Sequence, residues 1–179
     1  MASLAGDAVT LRPATVDDVA ELARIRATPE VYARWAGGGD LAEAVAEDLA
    51  DPEATVYAIE LAGHVVGAIQ WSEETEPQYR HASIDIYVDP AVHGRGVGSD
   101  AVRTLARHLF TERGHHRIEI DPAADNAAAI ACYGKVGFRP VGILRLYERG
   151  PGGEWHDGLL MDLLPAELTP PPAPPAADR

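Results

Sequence analysis

Cysteine and lysine each occur once in these 179 residues, as Cys132 and Lys135. A lone cysteine closes no internal disulfide, which excludes a disulfide-stapled secreted scaffold and fits a reducing compartment. With one lysine and no Gly-Lys-Ser or Gly-Lys-Thr, the phosphate loop of the nucleoside triphosphatases is excluded as well. No apolar run approaches the roughly 18 residues of a membrane span, and no basic, apolar, small-residue leader opens the chain. A soluble, cytoplasmic protein is expected. Bases are scarce too, 15 against 28 acids for a net charge of −13. Phosphates must be met by clustered Lys and Arg, so nucleic-acid and anionic-membrane binding are poor fits.

The acids are unevenly spread along the chain. Residues 1–90 carry 17 acids and 5 bases, 91–126 carry 5 of each, and 127–179 carry 6 and 5. A first half at −12 is compatible with plain solubility or with a cationic ligand.

The length fits one domain with a sizeable core. Val9 to Arg12 reads as a strand. Thr15 and Asp18 then form a capping box ahead of helical spacing at Val19, Leu22, Ile25 and Arg26, ending near Pro29. After a loop at Gly37 to Gly39, Asp40 caps a second helix running to Leu49. Thr55–Leu61 and Val65–Trp71 flank Ala62-Gly63 as a hairpin. Ser72 to Arg80 is an acidic loop. Ile84–Val88 is a strand with Ile84, Ile86 and Val88 on one face and Asp85 and Tyr87 on the other.

A helix from Gly96 to about Glu112 puts Val97, Ala101, Leu105 and Leu109 on one stripe. Ile118–Ile120 is a short strand, and Asn126–Val136 is a helix with Gly137 at its C-terminus. A last hairpin pairs Val141–Tyr147 with His156–Leu163. From Pro165 onward the chain holds 6 of its 14 prolines and is expected to be a disordered tail over 165–179, after a domain over 1–164. The order β, α, α, β, β, β, α, β, α, β, β makes a mixed α/β layer.

The segment with most chemical content runs from Ile86 through Asp89-Pro90 to His93-Gly94-Arg95-Gly96-Val97-Gly98. A strand, a turn with glycine at alternate positions and a helix start aim free N–H groups and a positive dipole at one point. An anion such as a pyrophosphate belongs there, the alternative being a tight structural turn. The spacing is G-x-G-x-G, and no ribose-binding acid follows in a helix-then-strand unit, so the dinucleotide fold fits poorly.

Val88-Asp89-Pro90 followed by His93 to Gly98 resembles the acetyl-CoA pyrophosphate loop of the GNAT superfamily of N-acetyltransferases. The loop opens on His93 where the family usually has Arg or Gln. The run Asp125-Asn126-Ala127-Ala128-Ala129-Ile130-Ala131-Cys132-Tyr133-Gly134-Lys135-Val136-Gly137-Phe138 resembles the superfamily's second signature, and the likeness spans about residues 9 to 164. It implies a mixed, mostly antiparallel sheet with a central splay between two parallel strands, flanked by helices. It further implies acetyl-CoA as co-substrate, without a metal. The contacts it implies for acetyl-CoA are Tyr87, Val88, His93, Gly94, Arg95, Gly96, Val97, Gly98, Ser99, Asn126 and Tyr133. A backbone N–H near Tyr87 or Val88 would polarise the thioester carbonyl, and Tyr133 would protonate the departing thiolate.

A carboxylate is unfavourable in mid-strand, which makes Asp85 the leading base and amine-binding candidate. Asp121, Glu73, Glu74 and Glu76 are the others. Within the superfamily, Leu11-Arg12-Pro13, Trp35-Ala36-Gly37, the acidic run Trp71 to Pro77, Ile84-Asp85 and Ile120-Asp121-Pro122 resemble the aminoglycoside 6'-N-acetyltransferases. That likeness implies a cationic small-molecule amine held by Glu73, Glu74, Asp85 and Asp121, with Trp35 lining the cleft. It also implies an acidic acceptor side facing a cofactor side whose residues 91–118 carry five arginines against two acids. A protein N-terminal, polyamine or small-amine N-acetyltransferase of the same fold, and a non-catalytic CoA-binding module, are the alternatives. Either a monomer or a homodimer is compatible.

Overall fold

Residues of alternating polarity build the middle of the chain, and in the computed structural model they pair as one eight-stranded sheet. The structure describes residues 2–35 and 39–171. The elements in chain order are β1 (Leu4–Ala5), β2 (Val9–Pro13), α1 (Val19–Arg26), α2 (Pro29–Tyr32), α3 (Leu41–Ala50), β3 (Ala54–Leu61), β4 (His64–Glu74) and β5 (His81–Val88). They continue with α4 (Val97–Thr111), β6 (Ile118–Ile120), α5 (Ala127–Val136), β7 (Arg139–Arg149) and β8 (Trp155–Leu163). The strand order is β1-β2-β3-β4-β5-β6-β8-β7, with β5 and β6 the one parallel pair between named strands. No helix among the described residues is long and apolar enough to cross a membrane.

While β7 at its edge is exposed along most of its length, the sheet buries both faces over β3 to β5. On one, the α4 stripe Val97, Ala101, Leu105 and Leu109 packs with Ile59, Ile69, Ile84 and Ile118, all at most 2% exposed. On the other, Leu22 and Ile25 of α1 and Val45 of α3 pack with Val56, Ala68 and Tyr87. Arg26, in the apolar row of α1, is buried with them. Its Nη1 donates to Asp48 Oδ2 at 2.6 Å, which joins α1 to α3, and its guanidinium lies 6.0 Å from the ring centroids of both Trp35 and Tyr87.

Several expected boundaries are corrected. The capping box of Thr15 and Asp18 closes a single 3-10 turn ahead of α1. α1 ends at Arg26, ahead of Pro29 as expected, but Pro29 opens a further short helix, α2, at a position where its missing N–H costs nothing. The acidic stretch from Ser72 is strand as far as Glu74, because Ser72, Glu73 and Glu74 stay in register with Ser83, Ala82 and His81. Residues 165–171, expected in the disordered tail, are packed on the domain. Leu168 reaches the core, and Thr169 donates its N–H to Val136 O at 2.9 Å and its hydroxyl to Lys135 O at 2.6 Å. Those bonds place the edge of the folded unit beyond 164. The expected loop at Gly37 and Gly38 and the run 172–179 lie outside the described residues.

Candidate active site

Parallel pairing of β5 with β6 lasts two residues, Ala82 with Ile118 and Ser83 with Glu119. Beyond it β5 continues to Val88 while β6 ends at Ile120, so the strands part. Hydrogen bonding alternates along β5. Ala82 N–H donates to Arg117 O, toward β6, and Asp89 N–H donates to Val66 O, on the β4 side. By that alternation the N–H groups of Ile86 and Val88 face the opening and that of Tyr87 faces β4. Of the two candidates for polarising a carbonyl in the splay, Val88 is the one whose N–H points there. The Tyr87 side chain packs with α1 and α3, edge-on to Trp35 at 5.0 Å between ring centroids.

At the end of β5, Asp89 accepts from Ala91 N–H at 2.9 Å and pairs with Arg24 at 2.5 Å. Gly94 and Gly96 follow with φ of +75° and +80°, backbone that L side chains rarely adopt, and Gly96 is the N-cap of α4. The first bond into the helix runs from Asp100 N–H to Gly96 O, so the N–H groups of Val97, Gly98 and Ser99 are left for an anion. Arg95 is exposed beside them. The His93 ring donates through Nε2 to Val88 O at 2.9 Å, a latch between the loop and the strand end. Ser99 Oγ lies 3.1 Å from Cys132 Sγ and so joins α4 to α5. Asn126 caps α5, its Oδ1 accepting from Ala129 N–H at 3.2 Å.

Below this loop the parted strands open a cleft of about 320 Å³. Asp85 and Ile86 of β5 form one wall, and Ile120 to Ala123 form the other. Asn126 and Tyr133 line it from α5, Arg34 and Trp35 from the end of α2, and Tyr147 and Glu148 from β7. Across its mouth Arg34 pairs with Asp125 at 2.5 Å.

Three carboxylates therefore face one space. Asp85 is open to the cleft, yet the walls crowd bulk water away from it. This desolvation, with the neighbouring charges of Asp121 and Glu148, pushes its carboxyl up to about 6 against a weakening long bond from Gln70. Burial also raises Asp121, although Tyr147 Oη donates to its Oδ2 at 2.6 Å, and burial raises Glu148. Tyr133 is 7% exposed, and burial with the adjacent acids holds its phenol far above the ordinary range, so it stays protonated at neutral pH. Among the described residues no group of three or more His, Cys, Asp or Glu is placed to hold a metal.

Of the expected site residues, Trp35, Asp85, Asp121, Asn126 and Tyr133 meet in this cleft. Glu73 and Glu74 do not, and the strand they extend is the reason. Glu73 shares the Trp71 side of β4, where it pairs with Arg80 at 2.6 Å and lies 3.3 Å from His115 Nε2. Glu74 is four residues beyond Gln70, about 13 Å along the strand, and accepts from Glu76 N–H at 2.9 Å. Arg34, Tyr147 and Glu148 were not anticipated. The adjacent large residues Leu146 and Tyr147 interrupt the alternation of β7, which was the available sign of an irregularity there.

The family model described as an acetyltransferase (GNAT) domain matches residues 8–139. The aminoglycoside N(6')-acetyltransferase type 1 of Klebsiella pneumoniae is 32% identical over 157 residues, 76% of each chain. Among solved structures, Mycobacterium smegmatis RimJ in complex with CoA-disulfide superposes with a TM-score of 0.78 at 28% identity, covering 93% of this chain and 88% of that one. AAC(6')-Ib in complex with paromomycin and acetyl-CoA gives 0.73 at 28%, covering 90% and 96%. A sheet splayed between its two parallel strands, a glycine turn feeding a helix N-terminus at the splay, and these likenesses agree: the chain belongs to the GNAT acetyltransferases, with acetyl-CoA as its co-substrate.

Proposed function

We propose that this protein transfers the acetyl group of acetyl-CoA to a primary amine of a cationic small molecule, and that the acceptor is the 6'-amine of an aminoglycoside. The observation that carries the reading is the convergence of Asp85, Asp121 and Glu148 on one cleft, beside the aromatic faces of Trp35 and Tyr147. Burial and neighbouring acids raise the proton affinity of all three carboxylates, and a polyvalent cation in the cleft would relieve that strain. The likeness to aminoglycoside acetyltransferases supports the same acceptor.

In this mechanism the N–H groups of Val97, Gly98 and Ser99, with Gly94, Arg95 and Gly96, hold the pyrophosphate, and Ile86 and Val88 offer N–H groups to the pantetheine arm. Val88 N–H polarises the thioester carbonyl. Asp121 and Glu148 hold the ammonium groups of the acceptor. Asp85, with a proton affinity between that of an ordinary carboxylate and that of an amine, takes the proton from the attacking nitrogen as the C–N bond forms. The C–S bond then breaks, and Tyr133 gives its phenolic proton to the thiolate.

A peptide α-amine is the second reading, favoured by the likeness to the N-alpha-acetyltransferase RimI of Mycobacterium tuberculosis, 37% identical over 78 residues, 44% of this chain and 47% of that one. Thiol release from acetyl-CoA, followed with a disulfide reagent against kanamycin, spermidine and a peptide starting Ser-Ala, decides between them. The expected result is the highest kcat/KM with kanamycin. Preference for the peptide overturns the aminoglycoside reading, and no acceleration by any amine overturns the enzymatic one.

A further inference from the structure

After an irregularity at Val141, β7 and β8 pair in register from Gly142 with Leu160 to Leu144 with Gly158, and the next partners are Glu148 and His156. Three residues of β7, Arg145, Leu146 and Tyr147, thus stand against Asp157 alone. Within this bulge Leu146 has a φ of +49°, a backbone conformation costly for a side chain of its size. Its N–H donates to Asp157 Oδ1 at 2.8 Å. The next ring, Tyr147, lies over Gly158, where a Cβ would come within 2.9 Å of Tyr147 Cδ1, and its hydroxyl reaches Asp121. Asp157 also holds the other wall of the cleft, because its carbonyl accepts from Ala124 N–H at 2.8 Å while Ala123 bridges to Gly158.

We propose that Asp157 is the positioning residue of the acceptor site. By keeping Leu146 left-handed it fixes Tyr147 on Asp121 and Glu148 at the cleft wall, and so sets affinity for the amine without setting affinity for acetyl-CoA. The inference rests on the reading that the acids of this cleft hold the acceptor. Asp157 itself lies behind the bulge as its backbone anchor.

Steady-state kinetics with acetyl-CoA and kanamycin test it, together with hydrogen exchange of the peptide amides over 144–149. Asp157→Ala is expected to raise the kanamycin KM about tenfold while the acetyl-CoA KM stays within about twofold. In Asp157→Asn the amide oxygen still accepts from Leu146 N–H, so the kanamycin KM stays within about twofold of the parent. Adding Leu146→Gly to Asp157→Ala recovers part of the loss, since glycine takes a positive φ without cost. Exchange at Leu146 speeds up in Asp157→Ala and not in Asp157→Asn. Equal rises in both KM values, an Asn variant as impaired as the Ala variant, or no recovery in the double variant overturns the proposal. If the parent acetylates no kanamycin, the proposed function fails by itself. The exchange data still decide the tether, and unchanged Leu146 exchange in Asp157→Ala overturns it.

Discussion

Asp85 and Tyr133 are perturbed in the same direction by the same cause, withdrawal from water, and opposite chemical roles follow. Raising a carboxyl to about 6 makes a better base that is still mostly ionised at pH 7.5, whereas raising a phenol keeps its proton available for a thiolate. Tyr133→Phe is expected to lower kcat about 100-fold or more with little change in the acetyl-CoA KM, and equal loss in both would remove the proton-donor role. The base must be ionised, so kcat/KM for the amine should fall below pH 6 with a limb set by Asp85, and Asp85→Asn should abolish that limb along with most of the activity. The same substitution should raise the melting temperature at pH 7. A carboxyl whose proton affinity is higher folded than unfolded loses stability as pH rises from about 4 to about 6, and the amide escapes that loss.

At the scale of elements, the turn into α4 tests whether glycine conformation or side-chain charge holds the pyrophosphate. Nothing lies within 4 Å of a Cβ built at Gly96, so Gly96→Ala meets only backbone strain at φ +80°, about 1–2 kcal/mol. The acetyl-CoA KM should rise while the amine KM does not, as paired substrate titrations would read. Elements with a strong local period were legible from the sequence: the α4 stripe, the strand carrying Asp85, the Asn126 cap and the order of the longer strands and helices reappear in the fold, to which the short β1 and α2 are added. The acceptor side was less so. Glu73 was misplaced because β4 runs on to Glu74, which turns that carboxylate to the opposite face. Glu148 was missed because its place depends on a bulge in which Leu146 bonds to Asp157, eleven residues further along the chain, which no local period records.

Across the whole molecule, the charge imbalance along the chain does not map directly onto the cleft. Of the 17 acids in residues 1–90, Asp85 lines it. Asp18, Asp48, Asp89 and Glu73 are paired with Arg12, Arg26, Arg24 and Arg80, while Asp121 and Glu148 come from the nearly neutral remainder. On the proposed reading, attraction of the acceptor comes from three local carboxylates over a broadly negative background. The kcat/KM for kanamycin should fall several-fold between about 0.05 and 0.5 M salt, where the screening length shrinks from about 14 to about 4 Å, and that for a singly charged amine should fall less. Equal salt dependence for both would place recognition outside the acid cluster.

Lys135 stands on the last turn of α5, exposed, its backbone carbonyl bound to the Thr169 hydroxyl. It is two positions from Tyr133, and that spacing turns its side chain to another side of the helix. A catalyst that consumes amines thus carries one side-chain amine of its own, pointed away from its reaction centre. Automodification has a single lysine to report it, and a fluorophore ester directed at lysine would install a dye on α5 away from Tyr133 and the cleft it lines.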